Sequence, residues 1–416
     1  MNNATTDLSQ YRFSIAEASD FLNVSFDTIR RWEKKGLVKA HRNSAGHRLF
    51  SLNEITKLKA KLAGGEGVGY RILKADKPSK FQVIELFAGA GGLALGLEHA
   101  GLKTKLLVEI DKNAAQTLRH NFKNGSVIQD DIANVHFNGL ETDILTGGFP
   151  FQAFSYAGKR LGFDDVRGTL FFEYVRAIKA TYPKVILAEN VRGLEKHDGG
   201  RTLKIMLQIL SESGYRMAYK VLRTQYLDVP QKRERLVIIG IRKELDLPIL
   251  FPLEQDYTIS LKETLENVPV SQGQSYTKKK FEIMQQVPEG GCWHDLPLEL
   301  QKQYMGKSFY LSGGKTGMAR RLSWDEPSLT LTCNPAQKQT ERCHPSETRP
   351  LTVREYARIQ TFPDTWEFSG STASQYKQIG NAVPVNLGYH LGRCLIATLN
   401  RKPDLTTMLV LNETPS

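Results

Sequence analysis

The sequence predicts an α/β protein built on a doubly wound sheet, with a loop-rich second domain and a small helix-turn-helix unit at its N-terminus. Two observations predict the sheet. Short apolar runs rich in Val, Ile and Leu recur from Phe81 onward, and stretches of helical period lie between them. Glycines or acids follow those runs, where such sheets hold ligands at the carboxyl ends of their strands. A third observation divides the chain: the alternation is absent over 1–62 and is lost over 242–348.

Residues 1–62 read as a unit of their own. Ser14, with Glu17 three residues on, is an N-cap with its capping-box partner. Ile15, Ala18, Phe21 and Leu22 then recur at helical spacing. Asn23-Val24-Ser25 turns the chain, and a second helix runs from Ser25 to a stop at Gly36. In a helix-turn-helix the second helix faces the groove of DNA. Thr28, Arg30 and Arg31 are therefore candidate DNA-binding residues. Leu37-Val38-Lys39 and His47 to Phe50 read as two extended runs around a polar loop. The spacing of Thr28 to Trp32, Gly36-Leu37 and Gly46 to Phe50 resembles the winged helix-turn-helix of MerR-type regulators. Residues 1–80 hold 15 Lys/Arg against 8 Asp/Glu, which suits phosphate contact. Residues 63–80, rich in Gly and Lys, read as a linker.

Over 81–241 the apolar runs are Gln82 to Phe87, Leu106 to Ile110, Ser126 to Ile128, Ile144-Leu145, Val185 to Ala188 and Leu236 to Gly240. Helices are expected at Leu93 to Ala100, Gly168 to Thr181 and Arg201 to Ser213. This is the Rossmann-like pattern. Residues 242–348 scatter prolines, paired glycines and basic residues among short strand-like pieces such as Ser328 to Thr332. Helical character returns over 349–400, at Thr352 to Gln360 and Val385 to Leu399, and 401–416 reads as a tail.

The totals exclude some classes. At 416 residues the chain has room for two or three domains, and its net charge of +12 favours a polyanionic partner. No apolar run approaches the roughly 20 residues that span a bilayer, and MNNATTDLSQ has no secretory pattern. Four cysteines are too few for a disulfide framework, so a reducing cytoplasm is the simple reading. Cys292, His294, Cys333, Cys343 and His344 match no standard zinc spacing, and no metal is expected.

Three strand ends carry candidate ligand-binding residues in register. Phe87-Ala88-Gly89-Ala90-Gly91-Gly92 lets a ligand approach the backbone. Glu109 lies about twenty residues on, where an acid can hold ribose hydroxyls. Asp131 and Ile132 can frame an adenine. Further along stand Gly147-Gly148-Phe149-Pro150-Phe151-Gln152, Glu189-Asn190-Val191, Gln231 to Arg235, Arg349 to Glu355 and Gln378 to Pro384. In this order and spacing they resemble the motif set of the cytosine-5 DNA methyltransferases, from about Gln82 to Leu399.

That resemblance implies S-adenosylmethionine as cofactor, S-adenosylhomocysteine as product and a flipped cytosine in duplex DNA as substrate. It assigns Phe87, Ala88, Gly89, Gly91, Gly92, Glu109, Ile110, Asp131, Ile132 and Asn381 to the cofactor. Glu189 matches the acid at N3 of the base and Arg235, with Arg233 beside it, the cation near O2. Gln152, Ser155, Lys159 and Arg160 match the mobile DNA-binding loop, and 242–348 the target-recognition domain. Restriction–modification membership, with a cognate endonuclease, is implied as well, and MerR-type modules imply a homodimer through the N-terminal unit.

The chain departs from the family at one place. The family writes Pro-Cys-Gln at the nucleophile, and Phe151 stands there here. A phenyl ring has no lone pair to add to C6, so the chain is expected to bind DNA and transfer methyl groups very slowly or not at all. Glu189 and Arg235, whose evident use is catalysis, are retained, which favours a substitution in an active enzyme over a natural relic. Two alternatives remain: a transcriptional regulator that uses the helix-turn-helix on its own operator, and an RNA substrate on the same scaffold.

Overall fold

The computed structural model describes residues 12–22, 24–34, 38–42, 46–51, 55, 69–123, 125–149 and 170–414. They belong to two compact units, 1–69 and 70–416.

In the first unit Ser14 caps the helix Ile15–Leu22: its Oγ accepts from the Glu17 N–H at 3.3 Å, and Glu17 Oε2 accepts from the Ser14 N–H at 2.7 Å. Ala18, Leu22 and Ile29, the last from the helix Phe26–Lys34, are buried with Phe13, Val38 and Phe50. Strands β1 (Arg12–Ser14), β2 (His41–Arg42) and β3 (Arg48–Ser51) form an antiparallel sheet with β3 in the middle. Two expectations are corrected here. β1 was not foreseen, and the first wing strand lies past 37–39, because Val38 is buried in the core at 2% exposure. Gly36 and Leu37 lie outside the described residues.

A seven-stranded sheet organises the second unit. Its strands are β4 (Gln82–Leu86), β5 (Lys103–Glu109), β6 (Ser126–Gln129), β7 (Ile144–Gly147), β8 (Val185–Val191), β9 (Tyr215–Arg223) and, after the two-residue β10 (Gln231–Lys232), β11 (Glu234–Arg242). The order is β6-β5-β4-β7-β8-β11-β9. The first five run parallel, as expected of a doubly wound sheet. β11 corrects that expectation, since it is antiparallel to both β8 and β9. The link from β9 to β11 is too short for the dozen or more residues of a parallel crossover. β9 escaped notice because charges interrupt its apolar positions.

Alternation along the strands sorts the side chains. Ile84, Leu86, Leu106, Val108, Leu145 and Ile186 share one core with the helices Leu170–Thr181 and Arg201–Glu212. By the same period Glu85, Leu107, Thr146, Leu187 and Glu189 belong to the opposite face. On that side the helix Gly92–His99 meets the helix Val385–Asn400 almost backbone to backbone: a Cβ on Gly92 would strike the carbonyl of Val383, and one on Gly96 that of Val385. The chain therefore closes by laying its last long helix on the first helix of the sheet. This carries Gly380 to Pro384 to the crevice at the strand ends, where the order reverses between β5 and β7 around β4.

Two boundaries differ from those expected. β12 (Ile249–Pro252) pairs antiparallel with Met408–Leu411 in the supposed tail, and Leu250, Cys394, Ala397 and Met408 cluster around them. Thus 249–252 belongs with the sheet domain, and the tail is a structural strand. The loop-rich region has its own core, including Met284, Val287, Trp293, Met305, Met318 and Cys343. Among the described residues no helix is long and apolar enough to cross a membrane.

Candidate active site

β7 ends in Gly147, and Gly148-Phe149 leads the chain out. Phe149 is 4% exposed, with its ring 5.4 Å from Phe171 and 5.7 Å from Tyr174. Burying such a ring contributes about 2–3 kcal/mol. Asn190 Nδ2 donates to the Phe149 carbonyl at 3.0 Å. The root of the loop is thus pinned at ring and backbone. Residues 150–169, with Phe151, Gln152, Ser155, Lys159 and Arg160, lie outside the described residues.

Glu189 and Arg235 meet across neighbouring strands. The register of β8 and β11 pairs Glu189 with Val237 and Val191 with Arg235, so the two side chains share a face. Arg235 Nε lies 2.6 Å from Glu189 Oε1, with the side chains 12% and 11% exposed. A Cβ on Gly148 would stand 3.3 Å from the other carboxylate oxygen. An acid held by a cation therefore sits against the backbone where the loop departs. Burial pulls the Arg235 pKa down, and the Glu189 charge opposes it.

Arg233 stands near Arg235 and Glu189: burial first and then the Arg235 charge push its pKa down to about 9, and the Glu189 charge opposes them. Arg233 is 2% exposed, and its guanidinium donates to the carbonyls of Leu331 at 3.3 Å and of Gly380 and Ala382 at 3.2 Å each. Its part is to bind the end of the helix Thr372–Asn381 and its cap Ala382 to the segment at Leu331.

The other end of the crevice is shaped for a ligand with polar and apolar parts. Phe87 takes φ +58 and Gly89 φ +54. Glu109 is 9% exposed; its Oε2 accepts from the Gly89 N–H at 2.7 Å and its Oε1 from the Asp111 N–H at 2.8 Å. The acid of β5 thereby holds the glycine turn of β4. Burial pushes the Glu109 pKa up. Ile110, next in sequence, is 65% exposed. The glycines divide. Beyond Gly89 a Cβ would meet open space, whereas on Gly91 it would strike Leu118 and Phe122 and on Gly92 the Val383 carbonyl. Gly91 and Gly92, expected at the cofactor, are small because the fold packs against them. Ala88 is buried. Asp131 caps the turn Ile132–Asn134, its Oδ1 accepting from the Ala133 N–H at 3.0 Å, and Ile132 is a core residue. Asn381 ends the helix Thr372–Asn381, where its Oδ1 accepts from the Cys333 thiol at 3.1 Å.

The sequence reading missed Glu85 and Thr146. They pair across β4 and β7 on the polar face, one pleat below Glu109 and Glu189. Glu85 Oε2 and Thr146 Oγ1 are buried, and the two side chains face each other across the strands. Burial raises the Glu85 pKa well above the carboxylate range; the Thr146 hydroxyl opposes this, and the charges of Glu109 and Glu189 add to it. The available signal was an acid inside an otherwise apolar strand. An open cradle at Gly89, an exposed Ile110 and the backbone-bound acid Glu109 suit an adenosyl-bearing ligand. In the first unit Arg30 pairs with Asp27 at 3.1 Å, Arg31 is exposed, and Thr28 Oγ1 lies 2.9 Å from Ser25 Oγ.

Comparison with known proteins identifies the architecture. A family model described as C-5 cytosine-specific DNA methylase matches residues 81–397. The chain belongs to this family. A model of the MerR family of regulatory proteins matches residues 14–50 of this methylase. It is 52% identical over 408 residues to the Type II methyltransferase M.Eco47II of Escherichia coli, covering 94% of this chain and 96% of that protein. With the Type II methyltransferase M.Sau96I of Staphylococcus aureus it shares 57% over 334 residues, 78% of each chain. The crystal structure of a DNA modification methyltransferase encoded within an E. coli prophage has the same fold, with TM-score 0.57 at 23% identity, over 77% of this chain and all of that one. The methyl donor of this family is S-adenosylmethionine, which leaves as S-adenosylhomocysteine.

Proposed function

We propose that this methylase is a DNA cytosine-5 methyltransferase of restriction–modification type, whose site holds a flipped cytosine, and that Phe151 has removed its nucleophile. The observation that carries the reading is the Glu189–Arg235 pair set against Gly148. C5 of cytosine is a poor nucleophile. Addition of a thiolate to C6 makes the ring an enamine, and a proton held near N3 together with a cation near O2 stabilises that adduct. Glu189 suits the first part and Arg235 the second. S-adenosylmethionine, when bound, supplies an electrophilic methyl group.

Phe87, Ile110 and Asp131 would face the adenine, Glu109 the ribose hydroxyls, and Gly89 and Asn381 the rest of the cofactor. Phe149 and Asn190 fix where the loop leaves the sheet, so that residue 151 is delivered to a set position. Lys159 and Arg160 are assigned to phosphate, and Gln152 and Ser155 to the opened duplex. The protein works in the cytoplasm on double-stranded DNA, beside a cognate endonuclease, and pairs through its N-terminal unit.

The test is Phe151→Cys. Bisulfite sequencing of DNA from cells expressing the restored protein should show methylcytosine at one short site. Its absence at every site would remove the nucleophile assignment.

The MerR match favours a second reading, operator binding by residues 1–62. A footprint of the full chain that is lost in Arg30→Ala/Arg31→Ala, while cofactor binding persists, supports it.

A further inference from the structure

Among the described residues, Tyr310 and Leu311 are the one pair of consecutive large apolar side chains that are both exposed, at 78% and 64%. They stand at the end of the turn Gly306–Tyr310, followed by the exposed Ser312-Gly313-Gly314. The tip is supported from below. Tyr310 packs edge-on to Phe309 at 5.2 Å, and Phe309 to the buried Trp293 at 6.0 Å. It is also tied at several points: the Leu311 N–H donates to the Ser308 carbonyl at 3.3 Å, Lys315 Nζ donates to the Leu311 carbonyl, and His294 Nε2 donates to the Gly314 carbonyl at 2.9 Å.

An aromatic and a leucine held out in water contribute little to folding, and adjacent exposed apolar side chains of this kind suit a contact surface. Charge says what meets it. From Gln301 to Trp324 the chain carries no Asp or Glu, and although Arg321 is buried on backbone carbonyls and Lys302 pairs with Glu299, Lys307 and Lys315 stand on either side of the tip. Such a stretch favours a polyanion over an acid-poor protein surface. Gly313 takes φ +98, and a Cβ there would meet open space, so the backbone beyond the tip can approach a partner closely.

We propose that Tyr310 and Leu311 form a base-contacting tip: it enters a groove of duplex DNA and packs against the edges of the bases, while Lys307 and Lys315 meet the flanking phosphates. The proposal rests on the reading of 242–348 as the DNA-facing domain and adds the residues that enter the duplex. Apolar side chains set against bases add affinity that salt does not screen, whereas lysines add affinity that it does.

The experiment uses the full chain with Arg30→Ala and Arg31→Ala, so that the N-terminal helix-turn-helix is silent. A randomised pool of labelled duplexes is enriched on it with S-adenosylhomocysteine present, and affinity for the enriched duplex is measured by anisotropy at several salt concentrations. Tyr310→Ala/Leu311→Ala is expected to weaken binding by about tenfold or more with the slope of log affinity against log salt unchanged. Lys307→Ala/Lys315→Ala is expected to reduce that slope by about two. Tyr310→Ser, which keeps Leu311, should fall between the unsubstituted tip and the double variant. Binding by the double variant within twofold of the parent overturns the tip alone. So does a change in its sedimentation without DNA, which makes the tip a self-association surface. Enrichment of no duplex at all overturns the reading of the domain and the tip with it.

Discussion

Nε of Arg235 lies 2.6 Å from Oε1 of Glu189 across the antiparallel seam of β11 and β8. With both side chains nearly buried, removing one strands the other's charge. Arg235→Ala is expected to cost about 3 kcal/mol, read as a shift of the urea midpoint at constant slope. Arg235→Ala/Glu189→Ala should recover part of that loss. In the Phe151→Cys background, Glu189→Gln should lower kcat roughly 10²- to 10⁴-fold while DNA affinity changes little.

Arg233 should respond differently. A lysine cannot reach the three carbonyls of Leu331, Gly380 and Ala382 that the guanidinium serves. Arg233→Lys is expected to lower the melting temperature and, by loosening the segment around Asn381, to weaken S-adenosylhomocysteine binding in calorimetry. Retention of both properties would contradict the positioning role.

The glycines of the β4 turn should separate by phenotype. Gly92→Ala pushes a methyl into the Val383 carbonyl and is expected to destabilise the whole domain by several kcal/mol. Gly89→Ala meets open space but keeps φ +54, a strain of order 1 kcal/mol. It should fold and lose cofactor affinity. Thermal melts paired with cofactor titrations distinguish the two.

Acid should destabilise the protein partly through His344. The ring is buried, and its Nδ1 accepts from the N–H groups of Ser346 at 3.3 Å and Glu347 at 3.0 Å, so it is held neutral at that nitrogen. Burial lowers its pKa, Glu355 opposes, and Arg349 adds to the lowering. Burial lowers His99 too, with Lys74 adding to it. Below about pH 6.5 the unfolded imidazoles take up protons that the folded ones resist. The contribution of these two histidines to stability should therefore fall as pH drops through that window and be flat above it. The melting temperature of His344→Gln should depend less on pH between 7.5 and about 5.5 than that of the parent.

Much of this architecture was legible in the chain. The five parallel strands were visible because each is a short apolar run, and the capped helix at Ser14 because its signal is local. The strand Met408–Leu411 was not, because nothing near it in sequence marks its partner at Ile249–Pro252. Arg233 and Arg235 stand two residues apart in one motif, yet the first bonds carbonyls of segments distant in sequence and the second the Glu189 carboxylate, which the motif does not reveal. The motif at Gly89, Gly91 and Gly92 named three small residues, yet which neighbour required each was a matter of packing between elements distant in sequence. Glu85 was hidden for the opposite reason: an acid within an apolar strand resembles any strand residue until its burial beside Thr146 is located.

The most direct test of the central claim is covalent capture. The unaltered chain and Phe151→Cys are each incubated with S-adenosylmethionine and duplex DNA containing 5-fluorocytosine, then resolved under denaturing conditions. The restored protein should migrate as a stable DNA adduct, because fluorine at C5 blocks the final elimination, and the unaltered chain should run free. An adduct on the unaltered chain would show that another group supplies the nucleophile and would contradict the assignment of that role to position 151.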